Sequence, residues 1–304
     1  MIERTPIFNF ICYTILALGL LIALLPFAIV IVASTLDLQA VNTVPMPLVP
    51  GSHFWENVSE AWVRADLGNK LLHSIIFAVS VAGGKVLLSS MAAFTIVYFR
   101  FPGRSLIFWM IFITLMLPLE VRIVPTYSIA ANALQPFQAI LDVTGLTWLI
   151  AAVFGLQVKL EWGLLNSYPG LVLPLVATAT GTFLYRQFYL TVPDELAEAS
   201  KMDGSGPVRF FIDVLLPLSR PNMIALFTIM FVWAWNQYLW PLLITTDPKF
   251  GIAVTELKTL IPSEFGLPDW NVAMAGTLII MSPPLILVIL MQRWFVRGLI
   301  STEK

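Results

Sequence analysis

Residues 185–221 read YRQFYLTVPDELAEASKMDGSGPVRFFIDVLLPLSRP, a polar island between two long apolar runs. Its punctuation is that of a short helix carried on a turn. Val192-Pro193-Asp194-Glu195-Leu196 starts the helix: proline has no N–H to leave unpaired in the first turn, and two acids favour the positive end of the dipole. Gly204 stops it, being the residue that most easily takes a left-handed conformation at a helix end. Leu196, Ala199 and Met202 fall along one side, and the small residues Ala197, Ala199 and Ser200 let another surface come close. A second amphipathic piece, Phe210 to Leu216, leads back toward the next apolar run before Pro217 and Pro221. On these residues alone, a solvated loop helix is the bland reading.

Outward from this island the chain is apolar. Of its 304 residues 58% are hydrophobic and only 12% charged, with a mean hydropathy of +0.85. Soluble domains carry about twice that share of charge, so the excess apolar surface must face lipid. Runs at 11–34, 72–97, 105–125, 165–189, 222–245 and 271–292 are each near the roughly 20 residues that cross a bilayer core. Backbone groups in lipid must pair within the chain, which predicts an all-α integral membrane protein of about six transmembrane helices. The first run is too long for the core of a cleaved leader and is expected to be a retained anchor, bent near Pro26.

Basic residues set the orientation. Arg4, Arg100, Arg104, Arg186, Lys201, Arg209, Arg220, Arg293, Arg297 and Lys304 fall on one side. Arg64, Lys70, Arg122, Lys159, Lys249 and Lys258 fall on the other, on longer loops. Both termini and the 185–221 loop are then expected in the cytoplasm of a bacterial inner membrane. The short apolar stretch 145–158, bounded by Asp142 and Lys159, would spoil the parity as a further span. It is expected to be an interfacial or re-entrant helix on the outer side.

Several chemistries are excluded. Net charge is −1, which gives no basic field for nucleic acid. One cysteine (Cys12) and two histidines (His53, His73), without HExxH or CxxC, make no metal site. Lys85 follows Gly83-Gly84, but the spacing is not that of a phosphate-binding loop, and no GxSxG elbow occurs. Ion-driven carriers keep carboxylates inside their spans, whereas here Glu120, near a helix end, is the nearest case. Energy for any transport must come from a partner.

The island supplies that partner. Glu198-Ala199-Ser200, Asp203-Gly204, Ile212 and Leu216-Pro217 resemble the EAA motif of ABC-importer permeases, with Ser200 in place of the third small residue. Phe99-Arg100-Phe101-Pro102-Gly103-Arg104, Trp235 to Leu242 and Gln292 to Leu299 resemble the carbohydrate-type branch. MIER at the start, STLDLQAV at 34–41, FWMIFITLMLPLEVRIVPT at 108–126 and WNQYLWPLLI at 235–244 are similar to the members that import sn-glycerol-3-phosphate. The 137–163 region departs from the branch by its length.

The resemblance implies a type I, MetI-like fold, with residues 1–70 as anchor and periplasmic loop and 71–304 as the permease domain. It implies a related second permease, a pair of ATPase subunits and a periplasmic substrate-binding protein. This chain would bind no cofactor, and Mg-ATP would be hydrolysed in the ATPase. Glu198, Ala199, Ser200, Asp203, Gly204, Leu196 and Met202 would dock in the ATPase. For the substrate path, Trp235, Asn236, Gln237 and Tyr238 offer aromatic and amide groups, with helix packing and an interfacial aromatic belt as the plain alternative. Lys85 can snorkel, pair or meet a phosphate; Arg122 can attract an anion or pair with Glu120. The Gly83-Gly84 and Ala177–Gly181 clusters are expected at close helix contacts. The same machine importing a sugar or polyol, and a carrier acting alone, remain the alternatives.

Overall fold

A computed structural model describes residues 6–114, 117–261 and 266–300. MIER, Arg4, Lys304 and the side chains from Trp294 to Leu299 lie outside the described residues. Within them every regular element is helical.

Three apolar runs form continuous helices long enough to cross a membrane: Pro6–Ala33, Leu67–Tyr98 and the helix beginning at Trp270. The first runs unbroken through Pro26, and its sides are exposed almost everywhere, which suits a helix surrounded by lipid.

The other three runs, expected as whole spans, are interrupted. The run from 105 gives Arg104–Ile113 and, after Pro118 in an extended conformation, Leu119–Ala131. The run from 165 gives Tyr168–Val176 and Ala179–Tyr189, separated by extended Ala177 and Thr178. The run from 222 gives Arg220–Trp235 and Leu239–Ile244, separated at Asn236–Tyr238. Hydropathy does not register these breaks because the breaking residues lie inside apolar context. Two further helix pairs bend sharply, Pro207–Leu218 against Arg220–Trp235 by 74° and Gln135–Val143 against Leu146–Phe154 by 75°.

The second bent pair is the 137–163 region. Gly145, at φ +74°, makes the corner. Each half has nine residues, about 14 Å of helix and too short to span a bilayer core. The extended chain beyond it is pinned by two amides. Asn132 Oδ1 accepts from the Trp162 N–H at 3.1 Å, and Gln138 Oε1 accepts from the Leu160 N–H at 2.9 Å.

The described chain divides into two compact units, one of residues 1–71 with 256–283, the other of 72–255 with 284–304. The first is organised by a buried amide. Asn57 Nδ2 donates to the carbonyls of Ser34 and Leu36, both at 2.9 Å, and Asn57 Oδ1 accepts from Asn271 Nδ2 at 2.7 Å. Nearby, Arg64 Nη1 donates to Asp269 Oδ2 at 2.6 Å; this bond, opposed by partial burial, raises the guanidinium pKa above its ordinary value.

Candidate functional site: docking helix and central cavity

The polar island folds as its punctuation predicts. Its helix is Asp194–Met202, with Pro193 at the cap position and both acids in the first turn. The Gly204 N–H donates to the Lys201 carbonyl at 3.0 Å, and the Ser205 N–H to the Ser200 carbonyl at 2.9 Å. With Gly204 at φ +76°, these two bonds form a left-handed C-terminal cap.

Leu196, Glu198, Ala199, Met202, Asp203 and Gly204 are exposed, Met202 to 83%. Ser200 differs: it is buried against its own chain.

The return limb, Pro207–Leu218, contains a π turn at Phe211–Leu215. Pro217 donates no N–H and its ring crowds the carbonyl four residues back, and the wider turn accommodates both. Phe210 and Leu215 face inward, while Arg209 pairs with Asp213 outside. The limb ends at Ser219, fully buried, whose Oγ donates to the Leu215 carbonyl at 2.5 Å.

A cavity of about 340 Å³ opens inside the second unit, a size suited to a small molecule. Lys85, Arg122 and Gln237 line it, together with Glu120, Trp233 and the broken stretch Ala177–Thr180. Lys85 is buried and its Nζ lies 3.6 Å from the centroid of the Trp233 ring, a cation–π contact. It stands roughly 20 Å along the helix from Tyr98, deep within a bilayer core about 30 Å thick. The Arg122 Nε is buried without a hydrogen-bond partner. Among the described residues no ion pair joins Glu120 to either cation.

Helix Ala179–Tyr189 begins at this cavity with no side-chain cap, so its first N–H groups add positive potential to that of the two cations. Irregular backbone at membrane depth is tolerable where it lines such a space. The arrangement favours an anion.

The remaining substrate-path residues lie elsewhere. Trp235 is buried and stacks on Phe231 at 5.7 Å, while Asn236 and Tyr238 are exposed and do not line the cavity. Trp240 is packed, its Nε1 donating to the Leu171 carbonyl at 3.2 Å. The inward tryptophan is Trp233, which sequence reasoning passed over. Its one signal was the helical spacing Trp233–Gln237, whose side chains share a face.

Of the glycines, Gly84 abuts Val176 and Gly181 abuts Ser89, whereas nothing lies within 4 Å of a Cβ built on Gly83. Ala177 is exposed to the cavity rather than packed.

Residues 85–301, which hold both the cavity and helix Asp194–Met202, match the family described as "Binding-protein-dependent transport system inner membrane component". The chain belongs to that family. Relatives that match along the whole of both chains are the "sn-glycerol-3-phosphate transport system permease protein UgpE" of Pectobacterium atrosepticum and of Escherichia coli K12, each 46% identical over 310 residues. The protein so named from Yersinia pestis is 44% identical over 311 residues. A crystal structure of a bacterial ABC transporter involved in importing the acidic polysaccharide alginate superposes with a TM-score of 0.69 at 18% identity. It covers 97% of this chain and 99% of that one, a likeness of fold. The all-helical ABC-permease fold and a place in the bacterial inner membrane follow for this family member.

Proposed function

We propose that this chain is one of two membrane subunits of an ATP-driven importer that carries sn-glycerol-3-phosphate from a periplasmic binding protein to the cytoplasm by alternating access. The observation that carries the reading is the cavity built from Lys85, Arg122 and the open start of helix Ala179–Tyr189, which would receive a phosphate dianion. Full-length similarity to relatives named for that cargo supports it.

The partners are a UgpA-type second permease, a UgpC-type ATPase pair and a UgpB-type binding protein. Mg-ATP is bound and hydrolysed by the ATPase pair. Both termini and helix Asp194–Met202 face the cytoplasm, where Glu198, Leu196, Ala199, Met202, Asp203 and Gly204 meet the ATPase and Ser200 supports them from within. Gln237 and Trp233 contact the cargo beside Lys85.

The test is uptake of labelled sn-glycerol-3-phosphate by a strain deleted for this gene and lacking other routes, with and without the gene restored. Uptake that does not depend on the gene removes the cargo assignment and leaves a sugar or polyol. Co-isolation with an ATPase and a sibling permease is expected, and transport by the lone chain in liposomes would overturn the importer reading. Glu198→Lys reverses an exposed charge on the docking helix; uptake is expected to fail while the chain still inserts.

A further inference from the structure

We propose that the cleft between helices Arg104–Ile113 and Ala179–Tyr189 is a binding site for the phosphate headgroup of an anionic phospholipid. The cleft has a volume of about 410 Å³ and lies at the end of the spans, away from the Lys85 cavity. Among the described residues its only charged lining groups are Arg104 and Arg186, and no carboxylate lines it. Among the described residues neither arginine makes an ion pair.

The Arg186 guanidinium lies over the Phe108 ring, 4.3 Å from its centroid. The ring covers one side of the guanidinium, whose N–H groups can grip a phosphate in two places. Ser105 and Gln187 add polar groups to the rim. Arg104 stands in the first turn of its helix, where open N–H groups also favour negative charge.

The ligand is a lipid rather than a soluble anion because apolar surface continues out of the cleft. Trp109 and Met110 are about half exposed and Leu106 is 64% exposed, on the flank where acyl chains would lie. Two arginines at a bilayer surface, in a cleft also lined by aromatic rings, suit the headgroup layer of an anionic membrane.

Native mass spectrometry of the purified assembled transporter, titrated with phosphatidylglycerol or phosphatidylcholine, tests this. Each arginine near a membrane surface strengthens anionic-lipid binding by roughly fivefold, so the wild type should retain phosphatidylglycerol about thirtyfold more tightly. The double variant Arg104→Gln, Arg186→Gln should lose that preference, and Arg186→Lys should keep part of it. Equal retention of both lipids by the wild type overturns the proposal without recourse to any variant, and so does an unchanged preference in the double variant. Displacement by millimolar inorganic phosphate would make the ligand a soluble anion and overturn the lipid assignment.

Discussion

Replacing Gly204 separates two reasons for a glycine at the end of helix Asp194–Met202. A Cβ built there meets nothing within 4 Å, so no clash inside this chain forbids a side chain. The backbone does: φ is +76°, where an ordinary L-residue costs about 1–2 kcal/mol. The cap bonds from the Gly204 and Ser205 N–H groups exist only with that turn. If the ATPase binds the capped form, Gly204→Ala should weaken its binding by roughly five- to thirtyfold, the factor corresponding to that strain. Asparagine visits the left-handed region readily, so Gly204→Asn should stay within a few-fold of wild type, while Gly204→Val should be the weakest. The assay titrates purified ATPase onto the permease pair in nanodiscs and reads the dissociation constant. Asparagine as damaging as valine, or alanine without effect, would refute the backbone argument and place the demand for glycine on the partner's surface.

Lys85→Met removes one of two cations from the cavity; with charged hydrogen bonds at about 1.5–3 kcal/mol, uptake below saturation should fall roughly ten- to hundredfold at equal membrane levels. Gly181→Ala places a Cβ 2.8 Å from the Ser89 Cβ, and overpacking of about 1–3 kcal/mol should lower the melting temperature of the detergent-purified protein. Gly83→Ala, in open space, should leave that temperature unchanged. Asn57→Ala strands the buried carbonyls of Ser34 and Leu36, a loss of about 3 kcal/mol that should appear as increased protease sensitivity of the first unit.

What the sequence disclosed and what it hid divide along a physical line. Pro193, Asp194, Glu195 and Gly204 act on backbone a few residues away, so helix Asp194–Met202 and both its ends were legible. The long spans were legible too, because unbroken apolar composition needs no knowledge of neighbours. The burial of Ser200 was not legible, since it is set by the body beneath it. The cavity joins Lys85, Arg122 and Trp233 from separate elements, and no local pattern records that meeting. The choice of Trp233 over Trp235 turns on Phe231, which claims Trp235 for the interior. The breaks within three of the six expected spans were not legible because hydropathy averages over Pro118, Thr178 and Asn236, whose effect is conformational.

The corner at Ser219 makes the helix beyond it a lever. Trp233 sits near the far end of Arg220–Trp235, roughly 20 Å of helix from that elbow. A swing of about 5° there would carry the indole by nearly 2 Å, enough to slide it off the Lys85 ammonium. A small stroke delivered to the limb would thus uncover the Lys85 charge without any large rearrangement of the cavity wall.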